Sequence, residues 1–216
     1  MDLRPVGDII RLSDLMPNAV AEIPYPISPT DQSRKRWTRD EVSALENSGL
    51  LAGQHWELIG GELLNKMGKN RAHVNATTRL RLWMERVFGP ESVECESPIK
   101  VATTDHPLSD PEPDLVALKP SADPFCLTTP LSSELALVVE VSDSSLTLDL
   151  TIKAQLYARA EVADYWVVDV NGKQLIVHRE PEAGRYRSVK AYSEHEEVAP
   201  ARPTSLFRVS SAFPPL

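Results

Sequence analysis

Residues 135–170 read LALVVEVSDSSLTLDLTIKAQLYARAEVADYWVVDV, and the centre of the fold can be inferred from them. Its first eight residues are almost entirely apolar, which predicts a central β-strand covered on both faces. Residues 148–160 follow as a predicted helix, and DYWVVDV as a further strand. Two charged side chains lie inside these apolar segments: Glu140 stands among valines, and Lys153 stands among large hydrophobic residues. Their burial requires a chemical reason.

The rest of the chain supplies the elements on either side of this stretch. Helices are predicted from Thr38, where TRDE forms a capping box, to near Gly49, and over NRAHVNATTRLRLWMERVFG. Strands are predicted near 55–59 and 62–67, around a Gly-Gly hairpin turn, and over VECESPIKVA, DLVALK, KQLIVHRE and RYRSVKAY. The order α, ββ, α, βββ, α, βββ predicts an α/β (α+β) fold.

Length and composition indicate a single domain. The chain has 216 residues, of which 42% are hydrophobic, and this is enough to bury one sizeable core. Residues 1–36 are rich in Pro and short polar clusters, which predicts an arm that wraps the domain or stays mobile. The predicted domain covers residues 37–210, and residues 211–216 form a tail.

Cysteine usage and hydropathy indicate the compartment. Cys95 and Cys126 stand alone without a CxxC pair, and the stretch MDLRPVGDIIRLSDLM has no secretory h-region, so neither a zinc knuckle nor a disulfide framework is expected. The longest aliphatic run, LALVV, is too short to cross a bilayer. The sequence therefore predicts a cytoplasmic protein without a membrane segment.

The charge distribution restricts how the chain could meet a nucleic acid. A formal net charge of −8 argues against binding by bulk electrostatics alone. The segment from Lys66 to Arg86 is nevertheless locally basic, and its Lys69, Arg71 and Arg79 are candidates for contact with a nucleic-acid backbone. A solvated helix face is the commoner explanation of such a segment.

Glu140 and Asp114 form a candidate metal site. A carboxylate in a central strand needs a cation, a proton or several hydrogen bonds to offset its desolvation. Asp114 opens the apolar run LVAL, so it would converge with Glu140 if the two strands are neighbours. Mg²⁺ suits two converging carboxylates and leaves positions for water and phosphate oxygens. The alternative is that Glu140 lies half-exposed at the strand end, paired with an Arg or Lys.

Lys153 is the third candidate. Residues 149, 152, 153, 156, 157 and 160 form one helical stripe that is largely apolar, which predicts that the ammonium faces inward. The alternative is an exposed ion pair between Asp149 and Lys153, four residues apart, of the kind that contributes a few tenths of a kcal/mol. Tyr157, Tyr165 and Trp166 are predicted to lie in the core.

These motifs together resemble a known family. PEPDLVAL, LVVEVSDSS and DLTIKAQLYARAEVADYWVVD, with WELIGGELLNKM and His73 upstream, are similar to the family called Uma-two-type "putative restriction endonucleases", within the PD-(D/E)XK nuclease superfamily. The resemblance covers roughly residues 38–210. It implies a restriction-endonuclease-like fold, with a mixed central sheet between helices.

The resemblance also implies roles for individual residues. Asp114 and Glu140 would bind the metal, and Lys153 would be the lysine of the superfamily's motif. The motif usually places this lysine two residues after the second acid, where this sequence has Ser142. The resemblance therefore implies that the lysine comes from the helix that follows the strand. Additional candidates are Glu57 and Glu62, beside the Gly-Gly turn, and His73. For His73 a packing role is the commoner explanation.

The predicted function is that of an endonuclease that hydrolyses phosphodiester bonds of nucleic acid, with DNA as the expected substrate. It is expected to depend on Mg²⁺, with Mn²⁺ as a substitute. A homodimer fits an enzyme that cuts two strands. One alternative is a catalytically inactive module of the same fold that serves binding or assembly. Another is a metal-dependent enzyme acting on a small phosphorylated substrate, although the sequence has no glycine-rich phosphate loop.

Overall fold

The computed structural model describes residues 34–66 and 68–213. The predicted arm falls almost entirely outside the described residues, apart from residues 34–36, and so do the last three residues of the predicted tail. Within the described part of the chain, no helix is both long and apolar enough to cross a membrane.

A six-stranded mixed sheet forms the centre of the domain. Its strands are β3 (Val93–Cys95), β4 (Leu115–Leu118), β5 (Leu135–Ser142), β6 (Asp164–Asp169), β7 (Gln174–Glu182) and β8 (Arg185–Ser193), and they lie side by side in that order. β5 and β6 pair in parallel, and the other neighbours pair antiparallel. The predicted mixed sheet is thus confirmed. A parallel pair requires a crossover, and the helical segment between β5 and β6 provides it.

The remaining elements surround this sheet. They are α1 (Arg39–Asn47), the hairpin strands β1 (Trp56–Ile59) and β2 (Glu62–Asn65), α2 (Arg71–Phe88), and the short strands β9 (Glu197–Val198) and β10 (Phe207–Arg208). The crossover consists of α3 (Leu146–Leu148), a π-helical turn (Asp149–Lys153) and α4 (Ala154–Arg159). The capping box at Thr38 and the Gly-Gly hairpin turn are both as predicted.

The sheet is covered on both faces, which explains why β5 is apolar along its length. One face packs against α2, where Leu80 and Met84 meet Leu137 and Val139. The other face packs against α4, where Tyr157 meets Val138 and its neighbours. Glu140 follows Val138 on this second face, because alternate residues of a strand point to the same side.

Two predicted elements differ from the structure. The strand predicted over VECESPIKVA is limited to Val93–Cys95, because Glu96 adopts a left-handed backbone conformation with φ 50° and Pro98 has no N–H to donate to a ladder. The helix predicted over residues 148–160 contains the π-helical turn, which sequence periodicity does not distinguish from one α-helical turn.

His178 of β7 gives the fold a specific pH dependence. Its imidazole is buried beside the rings of Tyr165 and Tyr186, and burial lowers its pKa from 6.5 to about 4. Between these values the unfolded chain binds a proton that the folded protein excludes, so stability falls as the pH falls through this window. The loss approaches about 1.4 kcal/mol for each pH unit in the middle of the window.

We expect His178→Phe to remove this contribution of His178 to the pH dependence of stability. Chemical denaturation of both proteins between about pH 7 and pH 5 should show a free energy of unfolding that declines more steeply for the wild type. Equal slopes would contradict a neutral, buried His178.

Candidate active site

Two neighbouring strands bring Asp114 and Glu140 together. Asp114 immediately precedes β4, whose Leu115 lies opposite Val139 of β5. Its Oδ2 atom accepts a hydrogen bond of 2.8 Å from the backbone N–H of Val141. Both carboxylates are buried, with 6% of Asp114 and 4% of Glu140 exposed. The half-exposed alternative for Glu140 is therefore wrong, and the predicted convergence of two acids at one place on the sheet is present.

Lys153 points into the same site. Its Nζ atom lies 2.9 Å from Glu140 Oε1 and 2.9 Å from Glu57 Oε2. Asp149 Oδ1 is 3.8 Å away, and Asp149 and Lys153 are both buried. The exposed ion pair considered from the sequence is therefore wrong. The Lys153 ammonium thus lies beside three carboxylates, those of Glu57 on a hairpin strand, Glu140 on a sheet strand and Asp149 on the π-helical turn.

The π-helical turn is anchored to the end of β5. Asp149 Oδ2 accepts hydrogen bonds from the hydroxyls of Ser142, at 2.7 Å, and Ser145, at 2.6 Å. Ser142, two residues after Glu140 on β5, thus fixes the helical segment that supplies Lys153. Tyr157, one turn later, donates its hydroxyl to Glu140 Oε1 at 2.8 Å.

The sequence did not predict this hydrogen bond of Tyr157. The ring is buried, as predicted, and so are Tyr165 and Trp166. The only available signal was its position four residues after Lys153 on the same stripe, which is equally typical of a packing residue.

The site has more negative than positive charge at its centre. Burial raises the pKa of Glu140 to about 8, and the nearby carboxylates of Asp149, Glu57 and Asp114 add to this effect while Lys153 opposes it. Burial alone would lower the pKa of Lys153, but the surrounding carboxylates outweigh it and hold this pKa above its ordinary value. Lys153 is therefore charged, and the ionised form of Glu140 is disfavoured unless another cation is present.

Asp114 has a different environment. Its Oδ1 accepts a hydrogen bond of 2.8 Å from Lys69, which also contacts Glu96, and its Oδ2 lies 3.4 Å from His73 Nε2. Burial favours the neutral acid, but the hydrogen bonds and charges of His73 and Lys69 outweigh it, so the pKa of Asp114 is below its ordinary value. His73 thus lies at the site edge, in the first turn of α2.

Glu57 and Glu62, the two acids beside the hairpin turn, differ in burial and in their contacts. Glu57 is 4% exposed, contacts Lys153, and accepts a hydrogen bond of 2.9 Å from the backbone N–H of Glu112. The side chain of Glu62 is 52% exposed, and it pairs with Arg34 at 3.8 Å. The structure therefore brings Glu57, but not Glu62, to Asp114, Glu140 and Lys153. Arg71 and Arg79 are exposed on α2.

The donor set is suited to a small, hard cation. In the described residues, no three His, Cys, Asp or Glu side chains converge as closely as in a complete metal centre. Mg²⁺ does not require one, because it commonly binds through one or two carboxylates and keeps several waters. Burial and the neighbouring carboxylates raise the pKa of Glu140, so a further cation beside it would stabilise its ionised form. Asp114 and Glu140 therefore fit the ion that the resemblance implies.

Comparison with known proteins shows the fold and the family of the chain. No curated protein matches the chain. A crystal structure described as "a putative nuclease belonging to DUF820", from Anabaena variabilis ATCC 29413, is 14% identical, with a TM-score of 0.61. The similarity covers 82% of this chain and 97% of that one, and it shows a shared fold. Residues 40–210 match the Uma2 family, described as "Putative restriction endonuclease", which confirms the resemblance. The chain therefore belongs to the Uma2 family.

Proposed function

We propose that this protein is a metal-dependent endonuclease that hydrolyses phosphodiester bonds of DNA, with Mg²⁺ as the cofactor and Mn²⁺ as a substitute. The carrying observation is the buried Lys153 ammonium, 2.9 Å from both Glu57 and Glu140, beside the Asp114 carboxylate on the next strand. A buried cluster of this kind is costly to fold, and such clusters concentrate at functional sites. Membership of the Uma2 family supports the same conclusion.

Each residue has a part in the proposed reaction. Asp114 and Glu140 would hold the ion, which when bound supplies positive charge that polarises the phosphate and acidifies water. Lys153 would orient the attacking water and stabilise the charge that develops on the phosphate oxygens. Glu57 keeps the ammonium in place. Water adds to phosphorus as the bond to the 3′ oxygen breaks, which yields a 3′ hydroxyl and a 5′ phosphate.

The basic side chains near the site divide into two groups. Arg71 and Arg79 are exposed on α2 and available for phosphate contacts, which would provide salt-dependent affinity without sequence preference. Lys69 instead turns toward Asp114 and Glu96. It would have to release Asp114 Oδ1 for a metal to bind there, and could then reach a phosphate.

Two further proposals concern assembly and location. A chain with one such site cuts one strand at a time, so a homodimer would place two sites on a duplex. Cys95 and Cys126 are exposed free thiols, which is consistent with the reducing cytoplasm. The alternative, an inactive binding or assembly module, is disfavoured because Asp114, Glu140 and Lys153 are all present.

The test is cleavage of supercoiled plasmid and of single-stranded DNA in the presence of Mg²⁺ or Mn²⁺. We expect the wild type to cut and EDTA to stop it, with new ends that carry 5′ phosphates. Asp114→Asn should abolish cutting, whereas Asp40→Asn, an exposed residue of α1, should not. Cutting that survives EDTA or Asp114→Asn would contradict the proposal, and no cutting of either DNA would favour the binding module.

A further inference from the structure

Tyr157 and Lys153 direct their donors to the same atom of Glu140. The Tyr157 hydroxyl is 2.8 Å from Oε1, and the Lys153 ammonium is 2.9 Å from that same oxygen. The two donors lie four residues apart on one stripe of the crossover helix. Packing fixes the phenol ring, which is fully buried and meets Tyr165 edge to face, with the ring centroids 4.9 Å apart. The hydroxyl is thus held in a single direction.

This arrangement makes the two oxygens of Glu140 different. A carboxylate offers about four lone-pair positions, two on each oxygen. Two hydrogen bonds to Oε1 occupy the positions on that oxygen, so a cation would meet the other oxygen, Oε2. A carboxylate held this way binds an ion through one oxygen, whereas a carboxylate without such partners can also bind through both.

Coordination through one oxygen or through both matters because divalent cations differ in the coordination geometries that they accept. Mg²⁺ demands near-octahedral geometry, while Ca²⁺ accepts six to eight ligands and takes carboxylates through one or both oxygens. We propose that Tyr157 is a positioning residue that restricts Glu140 to single-oxygen coordination and so favours Mg²⁺ or Mn²⁺ over Ca²⁺. This inference rests on the proposed metal site.

The test is calorimetric titration of Mn²⁺, Mg²⁺ and Ca²⁺ into the full chain, comparing the wild type with Tyr157→Phe. We expect the variant to bind Mn²⁺ and Mg²⁺ about 10- to 100-fold more weakly, as for other residues that support a metal ligand. Ca²⁺ affinity should fall less or rise, because one of the two occupied lone-pair positions on Oε1 becomes free while Lys153 keeps the other. The ratio of Ca²⁺ to Mg²⁺ affinity is a readout that general loss of stability would not change.

Tyr165→Phe is the matched control. Tyr165 is equally buried, and its hydroxyl donates to the backbone carbonyl of Asp149 at 3.0 Å rather than to Glu140. Its removal should cost similar stability and leave the ratio of metal affinities unchanged. An unchanged ratio in Tyr157→Phe, with metal still bound, would overturn the inference but leave the metal site intact. A wild type that binds none of the three ions would overturn the metal site and the inference together.

A second measurement covers the case in which Tyr157→Phe does not fold. The wild type can be labelled with 3-fluorotyrosine, and the ¹⁹F resonance of Tyr157 followed during titration with Mg²⁺. Because the hydroxyl contacts a proposed ligand, its resonance should move with the same midpoint as the calorimetric binding curve, and the resonance of Tyr186 should move little. A Tyr157 resonance unaffected by bound Mg²⁺ would contradict the inference.

Discussion

Replacement of Lys153 by Met should reduce DNA cleavage by about 100- to 1,000-fold, the loss typical of removing one preorganised group that stabilises transition-state charge. Methionine has a similar length and fills the same buried space without a charge. Glu57, Glu140 and Asp149 would then face one another without their shared ammonium. The rate is best measured by plasmid nicking at saturating Mg²⁺, below the temperature at which the variant unfolds.

Loss of stability needs its own control, because breaking a buried ion pair typically costs about 3–5 kcal/mol. Asp164→Asn provides it. Asp164 is buried at the opposite end of the sheet strands, where it pairs with Arg179 at 2.9 Å. This variant should be destabilised to a similar degree and still cut DNA at the wild-type rate. Wild-type cleavage by Lys153→Met would remove the lysine from the mechanism.

Replacement of Glu140 by Gln should abolish cleavage and weaken Mn²⁺ binding by at least about 100-fold, the upper end of the effect of residues that merely support a ligand. Glutamine keeps a side-chain oxygen that can accept from Lys153 and Tyr157, so the local packing survives. Glu62→Gln is the matched control, since it makes the same chemical change at an exposed position beside the hairpin turn.

Glu140→Gln should also stabilise the protein when no metal is present. The pKa of Glu140 is raised from 4.5 to about 8, so between these values the folded protein keeps a proton that the unfolded chain has lost. Stability therefore falls as the pH rises through this window. Glutamine does not titrate, so the variant does not lose stability in this way as the pH rises. In EDTA at about pH 9, thermal unfolding of the variant should occur at a higher temperature than that of the wild type. A lower temperature would contradict the crowded-carboxylate description of the site.

The sequence was sufficient to predict part of the site because the cost of burying charge leaves a local signal. Glu140 interrupts a valine-rich strand and Lys153 interrupts an apolar stripe, so each was identifiable without knowledge of the other. Asp114 was identifiable because it opens an equally apolar strand. The pairing of β4 with β5 then brought two of these residues together, as expected of strands adjacent in the chain.

Other parts of the site could not be predicted because they depend on tertiary packing. Glu57 and Glu62 have similar sequence surroundings, and only the docking of the hairpin decides that Glu57 reaches Lys153. The π-helical turn leaves no trace in periodicity, because residues 149 and 153 fall on one side of either helix type. Tyr157 satisfies every criterion of a core residue, and its hydroxyl bond to Glu140 emerges only in three dimensions.

The proposed function depends on a divalent-metal centre that Asp114 and Glu140 would form beside the buried ammonium of Lys153. Calorimetric titration of Mn²⁺ into the wild type and into Glu140→Gln tests for this centre without any knowledge of the DNA target. We predict saturable binding to the wild type and its loss in the variant, with Glu62→Gln unchanged. Absence of binding to the wild type, or equal binding to Glu140→Gln, would contradict the claim.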